Sequence, residues 1–244
     1  MLYSLILLTV AATSMLSGIL GMAGGMILMA VLVSTLSVAS AMLLHGAVQA
    51  TSNGSRAWFL RRFIRWRIMP AYLVGATLAL ALFTALTLVP DPGTVLILVG
   101  ALPWLARVNR HLRGMDITRR ATAILCGFLV TATQLLAGAS GPLLDVFYLN
   151  APMSRQEIVA SKAITQALGH VFKIIYYGVI VAVSAALPGW LFVAAMLCAV
   201  AGTRAGTNLL MRWNDKDFNR VSQIVILSIA TICLIRGAWM LLPL

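Results

Sequence analysis

Acidic residues are scarce in this 244-residue chain: six Asp and Glu stand against eighteen Lys and Arg, and charged residues make up only 10%. That scarcity argues against a carrier of metal cations or amines, which needs several carboxylates within its apolar runs, where only Asp145 and Glu157 are on offer. Cysteine is equally sparse. Cys126, Cys198 and Cys233 each lie within an apolar run and form no CxxC pair, so they read as small buried hydrophobes rather than a disulfide framework or metal site. Motifs of enzymes are missing as well. There is no HExxH, no Walker A, no GxSxG and no pair of intramembrane aspartates, so nothing points to catalysis or calls for a cofactor or a metal.

Apolar sequence is what the chain has in abundance. Hydrophobic residues make up 61% and the mean hydropathy is +0.97, whereas soluble domains carry about 25% charged residues. A water-soluble fold of this size could not hide so much apolar surface, so lipid must solvate it. A spanning helix needs about 20 apolar residues, which leaves room for about eight to ten crossings with short loops and no soluble domain. The opening MLYSLILLTVAATSML lacks the basic n-region of a cleavable signal and reads as a retained first membrane helix.

The net charge of +12 would suggest nucleic acid in a soluble protein. Here most of the basic residues fall in three clusters between apolar runs: Arg56–Arg67, Arg107–Arg120 and Arg204–Arg220. Such clusters mark cytoplasmic loops, so no nucleic-acid partner is expected. The apolar runs are approximately 2–20, 26–49, 68–89, 93–106, 121–137, 142–151, 156–183, 187–211 and 221–241. Glycine and proline separate them, at Gly21, Gly24 and Gly25, at Pro90-Asp91-Pro92-Gly93, at Gly138, Gly141 and Pro142, and at Pro188-Gly189. The run 142–151 covers only about half a bilayer at about 1.5 Å per residue, which fits a broken or re-entrant helix.

An ungapped shift of 117 positions aligns Gly21 with Gly138, Gly24 with Gly141, Leu32 with Leu149, Ser37 with Ser154, Gln49 with Gln166 and Arg56 with Lys173. Both copies follow the order Gly-rich break, short helix, long helix. The expected division is a first transmembrane repeat at 1–115 and a second at 116–244. Charge orients the copies. The first long helix ends in the Arg56–Arg67 cluster, whereas its equivalent ends in the uncharged SAALPG near 183–188. The acidic turn at 90–93 matches the basic stretch Arg212–Arg220. Equivalent loops therefore fall on opposite sides, the pattern of inverted-topology repeats, with both termini outside.

Each long helix carries a polar stripe: His45, Gln49, Asn53 and Arg56 in the first, Lys162, Gln166, His170 and Lys173 in the second. Spacings of four, four and three put each stripe on one helix face. Polar and ionisable residues in spanning helices tend to face a cavity, and these offer donors and positive charge suited to a small anion. They also serve simply as interhelical hydrogen bonds, and Arg56 and Lys173 near helix ends can snorkel. GMAGGM (21–26) and GASGP (138–142) each precede a short helix whose free N–H groups could bind an anion, with Gly24, Gly25 and Gly141 admitting it closely; close helix packing is the alternative. Asp145 is a proton relay or a structural partner of Lys162. Glu157 beside Arg155 reads as a helix-end charge pair, Arg236 as a snorkelling residue, and His111 as part of an Arg-rich loop.

The Gly-rich first loop before a hydrophobic half-helix, the long helix ending in AVQATSNGSRAWFLRR and its echo IVASKAITQALGHVFKIIYYG resemble the TauE/SafE family of sulfite exporters. The resemblance covers essentially the whole chain. It implies a bacterial inner-membrane carrier of sulfite, organosulfonates or related organic anions, coupled to a cation gradient. The expected fold is thus an all-α integral membrane protein of two inverted repeats with half-helices at the Gly-rich segments. Gln49, Asn53, Lys162, Gln166, His170 and His45 are the expected anion contacts, with the backbone at Gly24, Gly25 and Gly141 and proton coupling at Asp145. Its expected partners are the small anion and the bilayer. A homo-oligomer, an anion channel and a carrier of another small solute stay open.

Overall fold

The computed structural model describes all residues except 21–22, 109–114, 149, 182–186, 211–214 and 243–244; side chains are further left out at 19–20, 107–108, 210 and 215–222. In chain order the helices are α1 (Leu2–Leu20), α2 (Ala23–Thr35), α3 (Val38–Phe59), α4 (Met69–Leu86), α5 (Pro92–Val108), α6 (Arg120–Ala137), α7 (Gly141–Tyr148), α8 (Arg155–Ile175), α9 (Gly189–Leu210) and α10 (Asp215–Leu241). Two 3₁₀ turns, Arg61–Phe63 and Trp66–Ile68, join α3 to α4, and a π turn, Tyr176–Ile180, extends α8. No strand occurs among the described residues. The chain is all-α.

Helix ends follow local chemistry. The apolar run 26–49 is in fact parts of two helices, because Ser37 breaks it: its Oγ accepts from Ser40 N at 3.4 Å and starts α3 afresh. Ser154 does the same for α8 with a full capping box, in which Glu157 Oε2 accepts from Ser154 N at 2.8 Å. The two caps lie 117 residues apart, as do the ends of α1 and α6 at Leu20 and Ala137. α7 has only eight residues, too short to cross a bilayer at about 1.5 Å per residue.

Five helical stretches among the described residues are long and apolar enough to span a membrane: Trp66–Leu86, Arg120–Ala137, Arg155–Ile180, Gly189–Leu209 and Gln223–Leu241. Leu2–Gly18, Ala23–Thr35 and Pro92–Ala106 are shorter apolar helices. Large apolar side chains stand outward on this surface, among them Leu8, Leu78, Leu197 and Ile235, while His45, Gln49, Asn53, Gln134, His170 and Lys173 are buried. That inside-out distribution of polarity suits lipid, not water. The protein is a multi-pass membrane protein.

Packing puts α1 along α9, α4 along α6, α5 along α10, and α3 against α8 at the centre. Exchanging the series α1–α5 with α6–α10 turns the α1–α9 pair into the α6–α4 pair and leaves the other two pairs unchanged. Between α4 and α6 the backbones all but touch: a Cβ at Gly75 would run into Ile124 O, and one at Gly127 into Tyr72 O. Such approach is what small residues provide between membrane helices, where dispersion contacts replace the hydrophobic effect. α1 ends beside Arg56, which donates to Ser17 O, so its start lies at the face opposite the arginines. α10 finishes at that same opposite face, with the Leu241 side chain beside Gly93.

Candidate anion site

α3 and α8 cross with their polar stripes turned towards each other, and the short helices α2 and α7 start at this crossing. Between them lies a small cavity lined by Gly25, His45, Gln49, Asn53, Gly141, Gln166 and His170. Met26, Ala139 and Ser140 complete the wall. Room for water-sized occupants within it is small, about 20 Å³, enough for about one water. Residues from both stripes and both Gly-rich breaks thus share one wall.

The hydrogen bonds assign roles. His45 Nε2 lies 2.9 Å from Gly25 O, an acceptor, so this nitrogen carries the proton. His45 Nδ1 is therefore free to accept from Lys173 Nζ at 2.8 Å. Lys173 also donates to Gly138 O at 2.9 Å, the C-cap of α6, where φ is +74°. This run of bonds joins the end of α6 through α8 and α3 to the first turn of α2. Lys173 is fully buried and does not snorkel. Arg56, its counterpart, is half-buried and donates to Ser17 O at 3.2 Å, so it too turns inward onto the end of a preceding helix.

Asn53 Nδ2 donates to Gln49 O at 3.0 Å and to Gln49 Oε1 at 3.3 Å. That leaves the Gln49 amide N–H groups to face Gly25, where an added Cβ would sit 3.1 Å from Nε2. A side chain at position 25 would crowd the donor, so glycine keeps it open. His170 Nε2 faces Gln134 Nε2 at 3.3 Å. If the amide donates there, the His170 proton sits on Nδ1, and Nδ1 is buried with no partner in the protein. Ser140 Oγ, at the start of α7, is likewise buried and unpartnered. A serine in that place usually caps the helix. Here its hydroxyl makes no such bond.

Two expected contacts sit off the cavity wall. Lys162, one turn before Gln166, forms an ion pair with Asp145 of α7, with side chains 22% and 35% exposed. Gly24 faces α1, where a Cβ would meet Thr13 O and the Ser17 side chain, so its contact is helix packing. Glu157 pairs with Arg65 at 2.7 Å. His111 and the first half of the SAALPG stretch, 184–186, lie outside the described residues, as do Gly21 and the backbone at 211–214. Sequence reasoning passed over Gln134 and Ser140. Gln134 did carry a signal, being a polar residue in an apolar run at the position equivalent to Ser17.

No curated protein and no solved structure shows significant similarity to the chain. The family profile of the sulfite exporter TauE/SafE matches residues 5–232, nearly its whole length. With an all-helical membrane fold and a donor-lined cavity already in place, that match establishes that the chain belongs to the sulfite exporter TauE/SafE family of membrane transporters.

Proposed function

We propose that this chain is a secondary transporter that moves a small sulfur oxyanion such as sulfite across the bacterial inner membrane by alternating access. One observation carries the reading: two helix starts and two unpartnered buried groups, His170 Nδ1 and Ser140 Oγ, converge on a single small cavity. Donors without acceptors fit a ligand rich in acceptors and without donors. Sulfite has that chemistry, and a cavity with only about 20 Å³ of room for water-sized occupants favours so small an anion over a bulky organosulfonate. Gln49, Asn53, Gln166, His45 and His170 would contact the anion, with the backbone at Gly25 and Gly141. Lys162 would supply attraction from one turn away.

Asp145 is the group proposed to exchange the coupling proton. It faces Lys162, and releasing that pair on protonation would free the lysine for the anion. The arginine end is proposed to be cytoplasmic and both termini external, in keeping with the positive-inside rule and with α1 and α10 reaching the opposite face. The exchange of helix neighbours between 1–115 and 116–244 supports two inverted repeats, one rocking against the other.

Flux of labelled sulfite into proteoliposomes tests this, with and without a proton gradient. Saturable uptake that grows with the gradient, lost in Lys162→Ala and Gln166→Ala proteins that still insert, is the expected result. Unchanged flux in both variants would remove the site. Unitary currents in place of saturation would make the protein a channel.

A further inference from the structure

Away from the anion cavity, a second hollow of about 650 Å³ opens at the arginine end, between the starts of α4 and α6. Its polar wall is Arg65, Arg67 and Arg120 with Thr118. Arg65 is matched by Glu157, but Arg67 and Arg120 make no ion pair among the described residues. One carboxylate is close by: Asp116 accepts from Thr118 N and Oγ1 and is thereby turned onto its own loop. Neither α4 nor α6 has a side-chain cap at its start, so the positive ends of both helices add to the field of the arginines.

The rest of the wall is apolar, with Ile68, Val74 and Ile124. Val74 also begins a track. Val74, Leu78, Leu82 and Leu86 are 51%, 54%, 44% and 51% exposed, and their spacing of four lines them along one face of α4 for about 18 Å. A cationic bowl that opens onto a long apolar track matches a molecule with an anionic head and a hydrocarbon tail. A free phosphate would use the bowl and leave the track bare.

We infer that this hollow holds the headgroup of an anionic phospholipid such as phosphatidylglycerol, with an acyl chain lying along α4. The headgroup phosphate bridges Arg67 and Arg120, and so pins the start of α4 to the start of α6. Basic pockets between helices at a membrane face recognise lipid heads by this chemistry.

The test is lipid retention by native mass spectrometry, and thermal melting, of the purified chain in neutral detergent. Phosphatidylglycerol should be retained in clear preference to phosphatidylcholine and should raise the melting temperature. Arg67→Gln/Arg120→Gln should abolish the preference, whereas Arg61→Gln/Arg62→Gln, the same charge removed from exposed positions outside the hollow, should keep it. Val74→Glu, which deletes no arginine, should also lower retention. Equal retention of the two lipids, equal loss in both double variants, or the same protection from inorganic phosphate would overturn the inference.

Discussion

The two polar stripes are related by the same 117-residue shift, yet the basic pairs they form are built differently. His45 and Lys173 form one pair. Their counterparts, Lys162 and Arg56, form the other, close enough for Arg56 to act electrostatically on Lys162. The first pair is fully buried, and no carboxylate pairs with Lys173 among the described residues. A neutral imidazole and a helix-end carbonyl receive the ammonium instead. The second pair is partly exposed, and Asp145 has been placed against it where the first copy has Leu28. Two full cations at one site repel, so one must be matched; a cation beside a neutral histidine needs only acceptors. The same helix geometry therefore accepts two chemistries, and the carboxylate marks which side carries the excess charge.

That contrast predicts unequal costs. Lys173→Met leaves His45 Nδ1 and the Gly138 carbonyl buried without a donor, at about 1–3 kcal/mol for each unsatisfied group. Lys162→Met leaves Asp145, which water can reach or a proton can neutralise, so thermal melting should show the smaller loss there. Equal losses would break the comparison. Gly169→Ala comes next. Its Cβ would strike Gln134 Oε1 and push the amide off His170. We expect the half-saturating sulfite concentration to rise about tenfold, the worth of one hydrogen bond of about 1.4 kcal/mol, with little change in melting.

Asp145→Asn separates the two ends further. It should keep downhill sulfite flux but lose the stimulation by a proton gradient; retained stimulation would reduce Asp145 to a partner of Lys162. The smallest effects concern the caps. Ser154→Ala removes a capping box and should cost about 1 kcal/mol, and Ser37→Ala, whose helix has no reciprocal glutamate in its first turn, less. A reversed order in chemical denaturation would contradict the difference between the two halves.

Much of this was legible beforehand. Spacings of four, four and three put His45, Gln49 and Asn53, and likewise Gln166 and His170, on faces that meet one cavity, because helix periodicity is a local property of the chain. The short helix α7 was legible from its flanking glycines and proline. Gly24 and Gly25 show the limit. They are adjacent and chemically identical, but about 100° apart around the helix, so one meets α1 and the other meets Gln49. Gln134 was hidden for a similar reason. It belongs to neither stripe, and only the close crossing of α6 and α8 at Gly169 brings it to His170.

By itself the sequence determined that this is an all-helical protein of the membrane, where its helices begin and which of their faces are polar. Those properties follow from composition, capping and a period of about 3.6 residues, each set within a few turns of chain. The tertiary structure alone decided that Lys173 bonds His45 and not lipid headgroups, that Lys162 spends its charge on Asp145, and that His170 and Ser140 keep atoms free for a ligand. Those choices depend on groups up to 128 residues apart in the chain, and a buried donor takes whichever acceptor the packing of other helices brings within reach.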